Sequence, residues 1–124
     1  FVDSAGTGAW HVGQAPDSRS IAVAAQNGIE LSGSARRVRL EDFVEFEFVL
    51  AMDRSNLEDL MDLESGSGSD AVLKLFLEFD SDPTGDPDVP DPYYGGSDGF
   101  QRVFEMVDRT CAALVEHLSD ELAP

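Results

Sequence analysis

Apolar residues recur at helical spacing most clearly towards the end of the chain. Phe100, Val103, Phe104, Val107, Cys111, Leu114, Val115 and Leu118 fall on one stripe, which predicts a helix over 100–118 with a buried face. Ser97 is a suitable N-cap for it, with Asp98 favourable in the first turn. The largely apolar run over 73–79, broken by Lys74 and Glu78, predicts a strand. So does 46–52, whose last four residues are all apolar, as in an interior parallel strand. A short strand is expected from Val2 to Thr7, running into small residues. Pro16-Asp17 opens a helix, Ile21, Ala24 and Ala25 lie on one of its faces, and Gly28 ends it where a left-handed residue is wanted. A short helical turn is expected over 40–43, and a further helix opens at Ser55-Asn56-Leu57 and runs to about Leu63. Residues 64–69 read as a flexible connector and 80–90 as an acid, proline and glycine loop. Strand, helix, strand, helix, strand, helix argues a parallel α/β sheet in a single domain.

Charge narrows the partners. The chain has 124 residues with 25 acidic and 8 basic, for a formal net charge of -17. A surface this negative repels nucleic acid and anionic lipid, so neither is expected as a partner. No run of 18 apolar residues is present, so no membrane span is expected, and no charged-apolar-small leader is visible. The single cysteine, Cys111, excludes an internal disulfide and fits a reducing cytoplasm. No cofactor or metal is expected.

The candidate chemistry lies between the 73–79 run and the last helix. In Val89-Pro90-Asp91-Pro92-Tyr93-Tyr94-Gly95-Gly96 two prolines bracket Asp91, each fixing its own φ and pushing the preceding residue towards an extended shape. A carboxyl held stiffly beside aromatic rings suits a general acid facing an aromatic leaving group. The same residues also suit a plain turn with packed tyrosines. Trp10, in a loop bounded by Gly8 and Gly13, is either packed or a binding element. Asp53 ends a predicted parallel strand, where sites form in open α/β sheets, and serves equally as an N-cap. Arg36, Arg37 and Arg39 suit either anion recognition or balance of the acidic surface.

Taken in order, Asp3-Ser4-Ala5-Gly6-Thr7, Trp10-His11-Val12-Gly13, Ala35-Arg36-Arg37, Glu41-Asp42-Phe43, Met52-Asp53-Arg54-Ser55-Asn56-Leu57 and Asp91-Pro92-Tyr93-Tyr94-Gly95 resemble the low-molecular-weight protein-tyrosine phosphatases over nearly the whole chain. The resemblance implies a three-layer, flavodoxin-like parallel sheet and hydrolysis of phosphotyrosine, on a protein or as a small aryl phosphate, through a phosphocysteine intermediate. It makes Asp91 the general acid, which protonates the leaving phenolate and then helps water attack. Trp10, Tyr93 and Tyr94 become walls of the substrate cleft. Ser4 becomes a support of the phosphate loop, and Asp53 an acidic residue near that loop.

Two departures stand out. Gly33 occupies a position where the family usually has His, two residues before Ala-Arg. The family's Cys-five residues-Arg loop is absent: six residues beyond Cys111 stands His117, and Cys111 lies on the apolar stripe of the last helix, which predicts a core position. These residues are therefore expected to begin at the family's second strand. They would lack the N-terminal strand, phosphate loop and first helix, roughly 30 residues or more, and would be inactive alone. Two rival readings stay open. One is a non-catalytic phosphatase-like binding module. The other is a calcium loop over 80–91, with Asp80, Asp82, Thr84 and Asp91 as ligands and Gly85 at the turn.

Overall fold

The computed structural model describes residues 1–66, 68–82, 85–92 and 98–122. Helix α1 (Ser18–Gln26) begins where Pro16-Asp17 predicts it. The Asp17 carboxylate accepts from the Arg19 amide, satisfying one of the helix's free donors. Its end is a Schellman turn: Gly28 sits at φ 80°, its amide donates to the Ala25 carbonyl and that of Ile29 to Ala24.

A short helix α2 (Asp42–Glu45) leads into strand β1 (Phe48–Ala51), then helix α3 (Arg54–Glu64) and strand β2 (Val72–Leu75). The two strands pair in parallel, from Phe48 opposite Val72 to Ala51 opposite Leu75, with α3 as the crossover that a parallel pair requires. Phe43, Ala51 and Leu60 are the buried centre of this unit. Val38, Val49, Leu57, Leu63, Ala71, Leu73 and Leu75 pack round them. The fold is thus α/β on a parallel sheet, as expected.

Three expected elements differ. The 73–79 run is strand only to Leu75, and Phe76–Phe79 forms a 3-10 turn. Its ladder partner β1 stops at Ala51, and the Glu78 carboxylate takes the Leu75 amide at 2.8 Å, folding the chain back on itself. The strand expected over Val2 to Thr7 reduces to a single parallel bridge, Gly6 to Arg37. The Gly6 amide donates to the Arg36 carbonyl and the Val38 amide to Gly6, and residues 1 to 6 are exposed.

The third difference is the face of the last helix, α4 (Gly99–Leu122), which packs on α1 and on the 3-10 turn. Its most buried side chain is Thr110, fully enclosed, whose hydroxyl donates to the Met106 carbonyl at 2.8 Å. Cys111, predicted to be core, is exposed, and so is Val115. One residue along a helix is about 100° of rotation. A threonine that satisfies its own hydroxyl within the helix can take the inward position, and Cys111 is turned outward. Among the described residues no helix is long and apolar enough to cross a membrane.

Candidate active site

The carboxyl end of β1 gathers the pieces. Asp53 is extended and its carboxylate accepts from the Asn56 amide at 2.7 Å, so it is the N-cap of α3. Asn56 in turn reaches Thr7, its Nδ2 lying 3.5 Å from the threonine Oγ1. This ties the mouth of α3 to the amino-terminal segment that carries Ser4 and Trp10.

The loop bearing Asp91 is fastened to the same strand end. The Val89 amide donates to the Met52 carbonyl at 2.8 Å. Asp88 receives the Arg54 backbone amide at 2.8 Å and the Arg54 guanidinium through Nε at 3.2 Å and Nη2 at 3.1 Å. The guanidinium hydrogen bonds, helped by the backbone amide, hold the Asp88 carboxyl below the usual carboxylate range. Asp91 follows, exposed, between Pro90 and Pro92. Beyond it the chain presses on α4: a Cβ added to Gly99 would fall 2.5 Å from the Pro92 carbonyl oxygen, so only glycine fits this buried position.

On the amino-terminal side, Ser4, Ala5, Gly6, Gly8, Trp10, His11, Val12, Ala35 and Arg36 line an open cavity of about 320 Å³. Trp10 is 83 % exposed, so it is not packed into a core. Its ring lies directly over Gly8, where a Cβ would meet the ring at 1.6 Å. Ser4 is also exposed, its amide donating to the Asp3 carboxylate. The structure thus gathers Ser4 and Trp10 round one cavity, and sets Asp53 and the Asp91 loop together at one strand end. Tyr93 and Tyr94 lie outside the described residues, as does Ser97.

The arginines over 36–39 are partly structural. Arg36 donates to both oxygens of the buried Asp42, at 2.9 and 3.1 Å, and to Asp3 at 3.1 Å. Burial pushes the Asp42 carboxyl up. The Arg36 hydrogen bonds, the Arg39 amide and the two positive charges outweigh it, and the net direction is down. The calcium reading loses its first ligand, because Asp80 is held by Arg109 at 2.8 and 2.9 Å. Among the described residues no group of three potential metal ligands forms. Cys111 is no nucleophile in waiting either: its residual burial and the Asp108 carboxylate push its thiol up, away from the reactive thiolate.

Arg54, Asp88 and Gly99 are residues round the candidate site that pattern and spacing did not pick out. The Arg54–Asp88 contact spans 34 residues of sequence, and nothing local marks it. Gly8, two residues from a loop tryptophan, did carry a signal, since a large ring needs a neighbour without a side chain.

The chain is similar to known proteins over most of its length. Residues 1–123 match the family model described as "Low molecular weight phosphotyrosine protein phosphatase". The chain is 48% identical over 108 residues to a low molecular weight phosphotyrosine protein phosphatase of Schizosaccharomyces pombe, covering 86% of this chain and 68% of that protein. It is 38% identical over 122 residues to a low molecular weight protein-tyrosine-phosphatase of Streptomyces coelicolor, covering 98% and 74%. A protein tyrosine phosphatase from Entamoeba histolytica, solved with Hepes in its active site, superposes with a TM-score of 0.84 at 34% identity, covering 96% of this chain and 75% of that one.

Proposed function

The chain belongs to the low molecular weight phosphotyrosine protein phosphatase family, and on that premise we propose that it supplies the general acid and the substrate wall of a phosphotyrosine phosphatase site. The family's fold is α/β and its members are hydrolases, which the matches over nearly the full chain establish.

In this reading Asp91 gives a proton to the departing phenolate oxygen, then takes one from the water that attacks the phosphocysteine. A phenol is a far better leaving group than a phenolate, so the proton matters most for unactivated aryl phosphates. Trp10 offers a flat apolar face to the ring. Ser4 supports the phosphate loop, and Tyr93 and Tyr94 form the opposing wall. Asp53 acts through the cap it places on α3, which keeps the carboxyl end of β1 in shape. The nucleophile is the cysteine of a Cys-five residues-Arg loop; the 124 residues contain one cysteine, Cys111, and no such loop. The substrate is a phosphotyrosine protein or small aryl phosphate, and the setting is the cytoplasm, where a thiolate nucleophile stays reduced.

The observation that carries this reading is the placement of the Asp91 loop, bonded through Val89 to Met52 at the end of a parallel strand. The test is a fusion that joins a family Cys-five residues-Arg segment ahead of Phe1. The fusion is expected to hydrolyse an aryl phosphate, and the 124 residues alone are expected not to. A folded fusion with no turnover favours the non-catalytic binding module. Turnover by the 124 residues alone that survives Cys111→Ser would sink the phosphocysteine account.

A further inference from the structure

Asp91 lies in the stretch of chain between Asp80 and the start of α4. A general acid works only if its carboxyl is delivered to the leaving oxygen with small error, and a misplacement of about 1 Å can cost about 10²-fold in rate. Something must therefore fix the loop close to Asp91.

The first fastening is remote. Arg109 of α4 grips Asp80 through Nε and Nη2 and also reaches the Asp82 carbonyl at 3.4 Å. This sets the loop's start, eleven residues before the acid. The second lies three residues before it. There Arg54 turns its own backbone amide and the Nε–Nη2 edge of its guanidinium on Asp88, while the next amide, Val89, donates to the Met52 carbonyl. From Asp88 to Asp91 is at most about 10 Å of extended chain. Within it Pro90 fixes its own φ and restricts Val89, and Pro92 restricts Asp91. Such a segment acts as a short stiff arm: a shift at Asp88 is carried to Asp91 with little loss. Beyond Asp91 the Pro92 carbonyl rests against Gly99.

An exposed ion pair contributes little to stability as a rule, and Arg54 is largely exposed. Here the fork is bidentate and joined by a backbone donor, so the pair fixes a direction as well as a distance. We propose that Arg54, clasped to Asp88, is a positioning residue for the general acid Asp91, and that releasing the clasp costs proton donation to the leaving group while leaving substrate binding intact. This rests on Asp91 being the acid, as proposed above.

The test uses the fusion described above, with Arg54→Ala, Arg54→Lys and Asp88→Asn, each checked for fold by its thermal melt. Two readouts are taken. In hydrogen exchange, the Val89 amide is expected to exchange faster in Arg54→Ala, and less so in Arg54→Lys, which keeps the charge but not the fork. In kinetics, Arg54→Ala is expected to lower kcat for phenyl phosphate by about 10-fold or more, with KM unchanged. In the burst of phenol release, which reports the first step alone, loss on a nitrophenyl phosphate, whose phenol leaves without a proton, should stay within about twofold. Asp88→Asn keeps an acceptor for the Arg54 amide and should fall between. Equal losses on both substrates, or a rise in KM in place of the fall in kcat, would overturn the positioning role. So would unchanged Val89 exchange in a folded Arg54→Ala. If the unsubstituted fusion has no turnover, the functional reading fails, and Val89 exchange still decides whether the clasp holds the loop.

Discussion

At the scale of single residues, two carboxylates near one strand end do different work. Asp53 is half-buried and spends its side chain on the Asn56 amide. Removing that cap, in Asp53→Ala, is expected to cost about 1 kcal/mol in a denaturant titration. Asp53→Asn, which caps as well, should cost almost nothing; an equal loss in both would mean the charge matters and the cap does not. Asp91 is exposed on its proline-bracketed arm. In the fusion, Asp91→Asn is expected to lower kcat by about 10²- to 10⁴-fold for a poor leaving group, the range of general acid catalysis. In the burst of phenol release, before the phosphocysteine is hydrolysed, the loss should shrink for an activated phenol, and a uniform loss there would assign Asp91 a structural role. Asp91 was legible because two prolines write its backbone into the sequence. Asp53 was ambiguous because a strand end and a helix start coincide there, and only the hydrogen bond to Asn56 separates capping from chemistry. Arg54 lies in a stretch that carries the resemblance, but its pairing could not be read: Asp88 is 34 residues away and one acid among 25.

At the scale of elements, local signals were accurate wherever local physics decides. The Asp17 cap, the left-handed Gly28 and the apolar run of β1 each specify their own backbone, and α1 and β1 formed accordingly. The misses lie where a neighbour decides. The 73–79 run is apolar enough for a strand, but its partner ends at Ala51 and Glu78 captures the Leu75 amide, so four residues turn into a 3-10 helix. In α4 a threonine that bonds its own helix took the buried place that the stripe assigned to Cys111. The fastening of the 3-10 turn to α4 carries a pH prediction. The Arg109 hydrogen bonds, joined by the Asp82 amide, bring the Asp80 pKa from 3.8 down to about 2. Because the folded value lies below the unfolded one, the pair stabilises fully above about pH 4 and loses that contribution as pH falls through about 2. Urea midpoints measured across that window should therefore drop on acidification. In Arg109→Leu, the part of the slope due to Asp80 should vanish. An unchanged slope in that variant would show that other carboxylates dominate the acid limb.

At the scale of the whole molecule, the sheet among the described residues pairs two strands, and three or more with a covered face are usually needed for independent stability. Six apolar side chains are buried among the described residues, while Phe1, Val2, Trp10, Val44, Met61 and Val115 are each more than half exposed. That is a small core beside a broad apolar surface, a combination that favours association or partial opening. The net charge of -17 opposes compaction at low salt, through repulsion that reaches about 10 Å at 0.1 M salt and about 3 Å at 1 M. The ion pairs that hold loops and termini in place, Arg36 to Asp3 and Arg54 to Asp88, leave at least one partner well exposed and are themselves screened. Salt thus acts in two directions, relieving the general repulsion and weakening these few attractions. With 25 acids against 8 bases the repulsion is the larger effect. The 124 residues alone are accordingly expected to bind ANS, to give weak near-UV dichroism and to melt broadly at low salt. All three should improve as salt is added. The α1–α4 unit and the β1–α3–β2 unit should not lose structure equally. The second encloses Phe43, Ala51 and Leu60, whereas α4 leaves Cys111 and Val115 in water, so amide protection should persist longest at Val49, Ala51 and Leu60. A sharp, cooperative melt of the monomer at low salt, without ANS binding, would show that two parallel strands and this small core are enough, and that the exposed apolar surface carries no instability.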